Sequence, residues 1–247
     1  MGNAFLWGLI ATSSLILGGI ISLMVRPGNR LLGIIMGFGA GALISAVTYE
    51  LMFEAIKLAK GSGFPAFGFF GGALVFFFSD KILESAGGKD RKSITPSQQA
   101  SLLFPMVLAI ILDGVPESLV IGLGILENGT VSLAMLVAVF ISNLPEAIAG
   151  TIGMKASQWG WKKIVLLWLS VTLICAVATL AGYGLLENTS HKWLAFINAF
   201  AGGAILMMLS NTMIPEAFEH GGKLAGVSTV MGFAVSVSIV LLEKAGG

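Results

Sequence analysis

The sequence has few charged residues and a single cysteine. Only 11% of its 247 residues are charged and 56% are hydrophobic, whereas a soluble domain carries about 25% charged residues. This composition excludes a soluble globular protein and predicts a polytopic membrane protein. Because Cys175 stands alone, no disulfide framework exists. The net charge of +1 gives no reason to expect a nucleic-acid partner.

Two further features that the sequence lacks restrict the classes of function and fold that it can have. No Gly-x-x-x-x-Gly-Lys-Ser motif for nucleotide phosphates occurs, which argues against an ATP-driven pump within this chain. The hydrophobic segments also lack the alternation of apolar and polar residues that is typical of a transmembrane β-barrel. The chain is therefore predicted to cross the membrane as helices.

Eight segments are apolar for about the 20 residues that a helix needs to cross a bilayer. They predict an all-α membrane protein with one transmembrane domain over residues 1–247. The predicted spans cover about residues 4–25, 31–58, 64–84, 100–126, 130–155, 162–186, 193–219 and 223–243. A Gly-rich, basic stretch over 85–99 is predicted to be the one sizeable loop.

The distribution of Lys and Arg predicts the orientation. With both termini outside, ten of the 14 basic residues face the cytoplasm, as the positive-inside rule requires. The inward group is Arg26, Arg30, Lys81, Lys89, Arg91, Lys92, Lys155, Lys162, Lys163 and Lys223. The outward group is Lys57, Lys60, Lys192 and Lys244. The expected location is a plasma membrane, the inner membrane of a bacterium.

Two similar pentads lie within the fourth and fifth spans, Asp113-Gly-Val-Pro-Glu117 and Ser142-Asn-Leu-Pro-Glu146. A carboxylate in hydrocarbon costs several kcal/mol unless it is paired, ligated or hydrated, so these acids are candidate functional residues. Each proline also removes a helix hydrogen bond, which frees the carbonyl of Leu112 or Ile141. Free carbonyl oxygens beside carboxylates suit a cation.

The sequence repeats itself at two intervals. A shift of 29 residues aligns the two pentads, and a shift of 162 residues aligns Phe38, Gly41 and Glu54 of the second span with Phe200, Gly203 and Glu216 of the seventh. In the predicted orientation the paired spans cross the membrane in opposite directions. Inverted repeats of this kind place the substrate of a secondary transporter near the bilayer midplane.

The chemistry of the central residues favours a metal ion. Asp113 and Glu117 share one helix face, as do Ser142 and Glu146, with Asn143 beside them. No Lys, Arg or His lies in the hydrophobic part of any span, so a bound cation or shared protons must balance the carboxylates. Ligands that are all oxygen suit hard or borderline divalent ions.

The chain resembles the ZIP (Zrt/Irt-like) family of metal transporters over nearly its whole length. The resemblance is carried by the eight spans, the break after the third, the two pentads and Asn211-Thr-Met-Ile-Pro-Glu216 in the seventh. It implies the 3+2+3 helix arrangement with inverted repeats. It also implies transport of a divalent cation (Zn, Mn, Fe or Cd), no prosthetic group, a lipid bilayer as surroundings and a homodimer as a candidate assembly.

The family motif also implies residue roles. Where the fourth span of the family reads His-Asn-x-Pro-Glu-Gly, this chain reads Asp-Gly-Val-Pro-Glu-Ser. The expected metal ligands are Asp113, Glu117, Asn143 and Glu146, with Ser142 and Thr212 as weaker candidates. The expected pathway residues are Glu50, Glu54, Asn211 and Glu216. Because the family His is replaced by Asp113, the identity of the metal stays open.

Two alternatives to a divalent metal carrier are considered. The first is a transporter of the same scaffold that has lost its metal and moves another solute, with proton coupling as one option. The second is an intramembrane aspartyl protease, which needs two catalytic aspartates. Only Asp113 lies within a span away from its ends, since Asp80 and Asp90 lie toward the cytoplasm. An enzyme is therefore not expected.

Overall fold

The computed structural model describes residues 2–88 and 103–246, and within them the chain is all helical, without strands. Within these two ranges, eight helices are long and apolar enough to cross a membrane, which confirms the predicted fold class. They are α1 (Gly2–Met24), α2 (Asn29–Ala59), α3 (Phe64–Leu83), α4 (Leu103–Asn128), α5 (Leu133–Ala156), α6 (Trp161–Gly184), α7 (His191–Gly221) and α8 (Lys223–Gly246). The predicted loop over 85–99 lies outside the described residues from position 89 onward.

The described residues contain three π-helical turns. One follows α3 at Glu84–Gly88, and the other two lie within α2 and α7. The turn in α2 covers Val47–Met52 and the turn in α7 covers Leu209–Met213. The two turns begin 162 residues apart, the interval at which the sequence matches itself. Such turns are rare and often lie at functional sites. Their recurrence at this interval supports the repeat, whereas the 3+2+3 arrangement stays a prediction.

The helices pack most closely in two groups. In the first bundle, α1 packs against both α5 and α6, and α4 packs against α6. In the second bundle, α3 packs along α7 while α2 packs along α8 and the second half of α7. The two bundles meet chiefly where α2 lies against α5. The pentads of α4 and α5 therefore both belong to the first bundle.

Glycines bring the helices of the second bundle into backbone contact. A Cβ atom on Gly41 would clash with the carbonyl of Thr229, and one on Gly203 would clash with the carbonyl of Phe69. Gly41 and Gly203 are equivalent in the 162-residue repeat. The α2–α8 and α7–α3 contacts are therefore built alike. Close approach of this kind drives helix association in lipid, where no hydrophobic effect pulls helices together.

The orientation of the chain in the membrane stays a prediction and can be tested by thiol labelling. We call the end that carries the α4–α5 and α6–α7 connections the outer end. Asn188 in the α6–α7 connection and Ala156, the last residue of α5, are exposed and lie at opposite ends of α6. With Cys175 replaced by serine, Asn188→Cys should react with an impermeant thiol reagent in intact cells, whereas Ala156→Cys should react only after permeabilisation. The reverse pattern would place both termini inside.

Candidate functional site

The helices α4 and α5 both continue through an internal proline, Pro116 in one and Pro145 in the other. Because proline has no backbone N–H, the carbonyl of the residue four positions earlier loses its usual donor. The affected carbonyls belong to Leu112 and Ile141. Each helix thus presents an acceptor next to its acidic pentad, as the sequence predicted from the two prolines.

A small cavity of about 10 Å³ lies among the four helices of the first bundle. It holds about one water-sized sphere. Two residues from each pentad line it, Asp113 and Gly114 from α4 and Asn143 and Glu146 from α5. Leu15, Ile110 and Trp168 complete its wall. The cavity would accept a metal ion stripped of most of its water, but not a hydrated one.

The polar residues of the pentads are removed from solvent. The exposed fraction is 2% for Asp113, 1% for Glu117, 2% for Asn143 and 8% for Glu146. Ionised carboxylates are stable at such positions only with hydrogen bonds, paired charges or a bound metal. The amide nitrogen of Asn143 makes no hydrogen bond within the described part of the chain. Rotation of this amide by half a turn would present its oxygen to a cation.

The two weaker ligand candidates do not line this cavity. The Ser142 hydroxyl donates a hydrogen bond of 3.0 Å to the carbonyl of Val139 in its own helix, and Gly39 of α2 packs against the Ser142 backbone. The Thr212 hydroxyl donates to the carbonyl of Met208 over 2.8 Å and lies in the π-helical turn of α7. Both hydroxyls satisfy their own helices.

Sequence reasoning did not place α1 and α6 at the site. Trp168 of α6 is buried and its indole N–H donates to the Thr151 hydroxyl over 2.9 Å. A Cβ atom at position 114 would lie 2.9 Å from the sulfur of Cys175, also in α6. Gly114 is thus the residue that lets α6 approach the pentad. A tryptophan in the middle of a span was the available signal, since interfacial tryptophans lie near span ends.

A larger cavity of about 330 Å³ opens at the outer end. Its wall includes the predicted pathway residues Glu50 and Glu54, together with Glu243. The ammonium group of Lys57 lies 3.1 Å from a carboxylate oxygen of Glu54. The cavity is thus rich in carboxylates, with Lys57 and Lys244 as counter-charges.

The predicted pathway residues of the seventh span lie on both sides of its proline. Asn211 is exposed in the π-helical turn, and Glu216 is partly buried in the last part of α7. The side-chain donor atoms of Glu216, Glu219 and His220 lie within 4.8 Å of one another. The ring nitrogen Nδ1 of His220 is 3.5 Å from a Glu216 carboxylate oxygen. The sequence predicted Glu216 at this position but not the approach of His220.

Comparison with known proteins finds zinc transporters among the similar sequences, although no family model matches the chain. The zinc transporter ZupT of Escherichia coli O7:K1 is 27% identical over 256 residues, covering 96% of this chain and 96% of that protein. ZupT of Escherichia coli K12 gives the same figures. An Arabidopsis thaliana protein provisionally named a zinc transporter is 23% identical over 92% of this chain, which spans only 37% of that longer protein.

These relatives agree with the helical structure. Eight helices able to span a bilayer, and end-to-end similarity to curated membrane transporters, define an integral membrane protein. The resemblance predicted from the pentads is confirmed, because the relatives are named zinc transporters and the match to ZupT covers nearly the full length of both proteins. The chain is similar, from its first helix to its last, to the zinc transporter ZupT.

Proposed function

We propose that this protein is a secondary transporter or permease that moves divalent metal cations through a carboxylate-lined site between α4 and α5. The observation that carries the proposal is the meeting of Asp113 from α4 with Asn143 and Glu146 from α5 around one buried cavity. Glu117 lies one turn along from Asp113 and is equally buried. We assign the ligand roles to these four residues.

The charges of the site support a cation. Its wall holds two acidic side chains and no basic one, and like charges this close repel each other strongly. A divalent ion relieves that repulsion and uses the same oxygens as ligands. An apolar wall formed by Leu15, Ile110 and Trp168 keeps the field of the ion unscreened.

The remaining polar residues are proposed to serve the path of the ion. Glu50 and Glu54 line the outer cavity and attract cations toward the site. Glu216 and Asn211 lie on the inner half of α7, where a released ion would leave. Ser142 and Thr212 are assigned no ligand role, because neither residue lines the cavity.

Asp113 offers a direct test of the site and of its selectivity. Carboxylates lack the nitrogen donor that favours later transition metals. Asp113→His should therefore raise the affinity for zinc and cadmium relative to manganese, and Asp113→Ala should weaken the binding of all three by about tenfold or more. The measurement is equilibrium competition binding of zinc, cadmium, manganese, iron and cobalt to purified protein, with flux into liposomes.

The control for this series is Glu187→Gln, which removes an exposed carboxylate in the α6–α7 connection and should leave binding unchanged. A metal ranking that is the same in Asp113→His and in the parent protein would remove Asp113 from the ligand set. Parent protein that binds none of the five ions would overturn metal transport and direct attention to another solute.

A further inference from the structure

Two hydrogen-bonded contacts at the outer end join the first bundle to the second. The side-chain amide of Asn198 in α7 donates a bond of 2.7 Å to the carboxylate of Glu127 in α4. The carboxylate of Glu243 in α8 accepts bonds from the backbone N–H groups of Leu133 and Ala134 in α5, over 2.6 Å and 3.4 Å. Each contact therefore ties one pentad helix to a helix of the second bundle.

One more side-chain hydrogen bond, between Glu50 of α2 and Ser132 at the start of α5, also crosses between the bundles. The other inter-helix hydrogen bonds named for the described part of the chain stay within one bundle. Thr12 and Thr172 exchange bonds between α1 and α6, Ser22 donates to α5, Trp168 donates to α5, and Ser228 of α8 donates to Ile34 of α2. The bonds of Glu127 and Glu243 therefore differ from these within-bundle bonds, because they connect one bundle to the other. They join groups of helices that meet chiefly where α2 packs on α5.

In both contacts a carboxylate accepts hydrogen bonds from groups that need an acceptor. Asn198 is only 1% exposed, so its side-chain amide needs an acceptor away from water, and the carboxylate of Glu127 supplies it. Glu243 lies at the N-terminus of α5, where its charge complements the helix dipole. Ser132 caps the N–H of Met135 in that helix. Glu243 therefore supplies acceptors for the first two N–H groups, which no residue within the helix can satisfy.

The contacts lie between the outer cavity and the proposed metal site. Glu127 follows Glu117 by ten residues, which places it about 15 Å further along α4. Glu127 and Asn198 line a small cavity of about 10 Å³, which shares Glu50 and Ser132 with the outer cavity. Deeper in the bundle, the wall of this small cavity is apolar and includes Val120 and Ile121 of α4 and Met135 of α5.

We propose that these two contacts form an outer latch, defined as Glu127–Asn198 together with Glu243 on the first turn of α5. The latch holds the outer ends of the two bundles together and closes the passage from the outer cavity to Asp113. It opens and closes once in every transport cycle. This inference rests on the proposed transport function, and the latch residues act by positioning helices rather than by binding the ion.

The first test measures access from the outer side, and it does not require transport. Val120→Cys, in a chain with Cys175 replaced by serine, places a thiol below the latch. Asn198→Leu and Glu243→Leu keep side-chain volume but remove the donor or the acceptor. In each variant, an impermeant reagent added on the outer side should label Val120→Cys about tenfold faster than in the parent. A tenfold change corresponds to the loss of about 1.4 kcal/mol from one charge-assisted bond.

Two control substitutions distinguish opening of the latch from a general destabilisation of the protein. One is conservative, and the other removes a hydrogen bond within a single bundle. Glu243→Gln keeps an acceptor oxygen for the α5 N–H groups and should label far more slowly than Glu243→Leu. Ser228→Ala removes a bond between α8 and α2, inside the second bundle, and should leave labelling at the parent rate. Equal labelling in the Leu, Gln and Ser228→Ala variants and the parent would overturn the latch.

The second test locks the latch. In the same Cys175→Ser chain, Glu127→Cys with Asn198→Cys can be joined by a short bifunctional thiol reagent and released by a reductant. The joined protein should lose metal flux and regain it on release. Thr12→Cys with Thr172→Cys, joined in the same way within the first bundle, should keep its flux. Flux that survives the Glu127–Asn198 link would overturn the proposal.

The two tests separate the latch from the proposed function. If the parent protein carries no metal, the transport proposal is overturned. The labelling of Val120→Cys would still decide whether the contacts close the outer passage. If the parent carries metal but Val120→Cys is labelled at the same rate with and without the Leu substitutions, the latch is overturned and the transport proposal stands.

Discussion

Replacement of Glu117 or Glu146 by glutamine is expected to lower metal affinity and transport rate by at least about tenfold. Both carboxylates are buried, at 1% and 8% exposure, and each follows a proline that frees a carbonyl in its own helix. Glutamine keeps the size of the side chain but removes the charge that a divalent ion needs. Reconstituted liposomes loaded with a metal-sensitive dye give the rate, and equilibrium binding gives the affinity.

The matched control is Glu187→Gln, which removes an exposed carboxylate in the α6–α7 connection. Its effect should be less than twofold on flux, because solvent screens its charge. The folded fraction of each variant is checked by its elution volume in detergent. Normal transport by both the Glu117 and the Glu146 variants would remove the ligand assignment, even if the chain carries metal by another route.

Replacement of Gly203 by alanine is expected to destabilise the second bundle strongly. A Cβ at this position would overlap the carbonyl of Phe69 in α3, and a backbone atom cannot move aside as a flexible side chain can. Overpacking typically costs about 1–3 kcal/mol, and the upper end applies to a clash with backbone. The midpoint of thermal unfolding in detergent should fall by about 10 °C. Gly41→Ala should behave in the same way, since Gly41 meets the carbonyl of Thr229.

Gly226→Ala is the matched control for both substitutions. It adds the same methyl group to a helix, but nothing lies within 4 Å of the added atom. Alanine also favours the helix over glycine, so the midpoint should stay the same or rise slightly. If Gly203→Ala unfolds at the temperature of Gly226→Ala, the close contact between α3 and α7 does not carry the stability assigned to it.

Several features could be read from the sequence because they depend on local chemistry. The low charge content and the length of the apolar runs predict eight membrane-crossing helices, since a bilayer sets both requirements. The acidic pentads stand out for the same reason, because hydrocarbon penalises charge wherever the chain folds. The 162-residue repeat was visible as well, and the π-helical turns of α2 and α7 recur at that interval. Their π geometry itself leaves no signal in composition.

The grouping of helices was decided by tertiary structure alone. The two similar pentads suggested one site formed by α4 and α5, yet each helix packs mainly on another one, α4 on α6 and α5 on α1. Trp168 and Leu15 reach the central cavity by that packing. Apolar helices resemble one another in composition, so hydrophobicity cannot say which pairs fit. Small residues and complementary surfaces decide that.

The outer contacts show the same division between sequence and structure. The sequence determined that this protein crosses a membrane on eight helices and holds acids beside prolines at membrane depth. Glu127 and Asn198 are 71 positions apart, and Glu243 is 110 positions from Leu133. No local pattern links such residues, because hydrogen bonds between helices depend on how the helices are arranged in space. Only the folded chain brings them together.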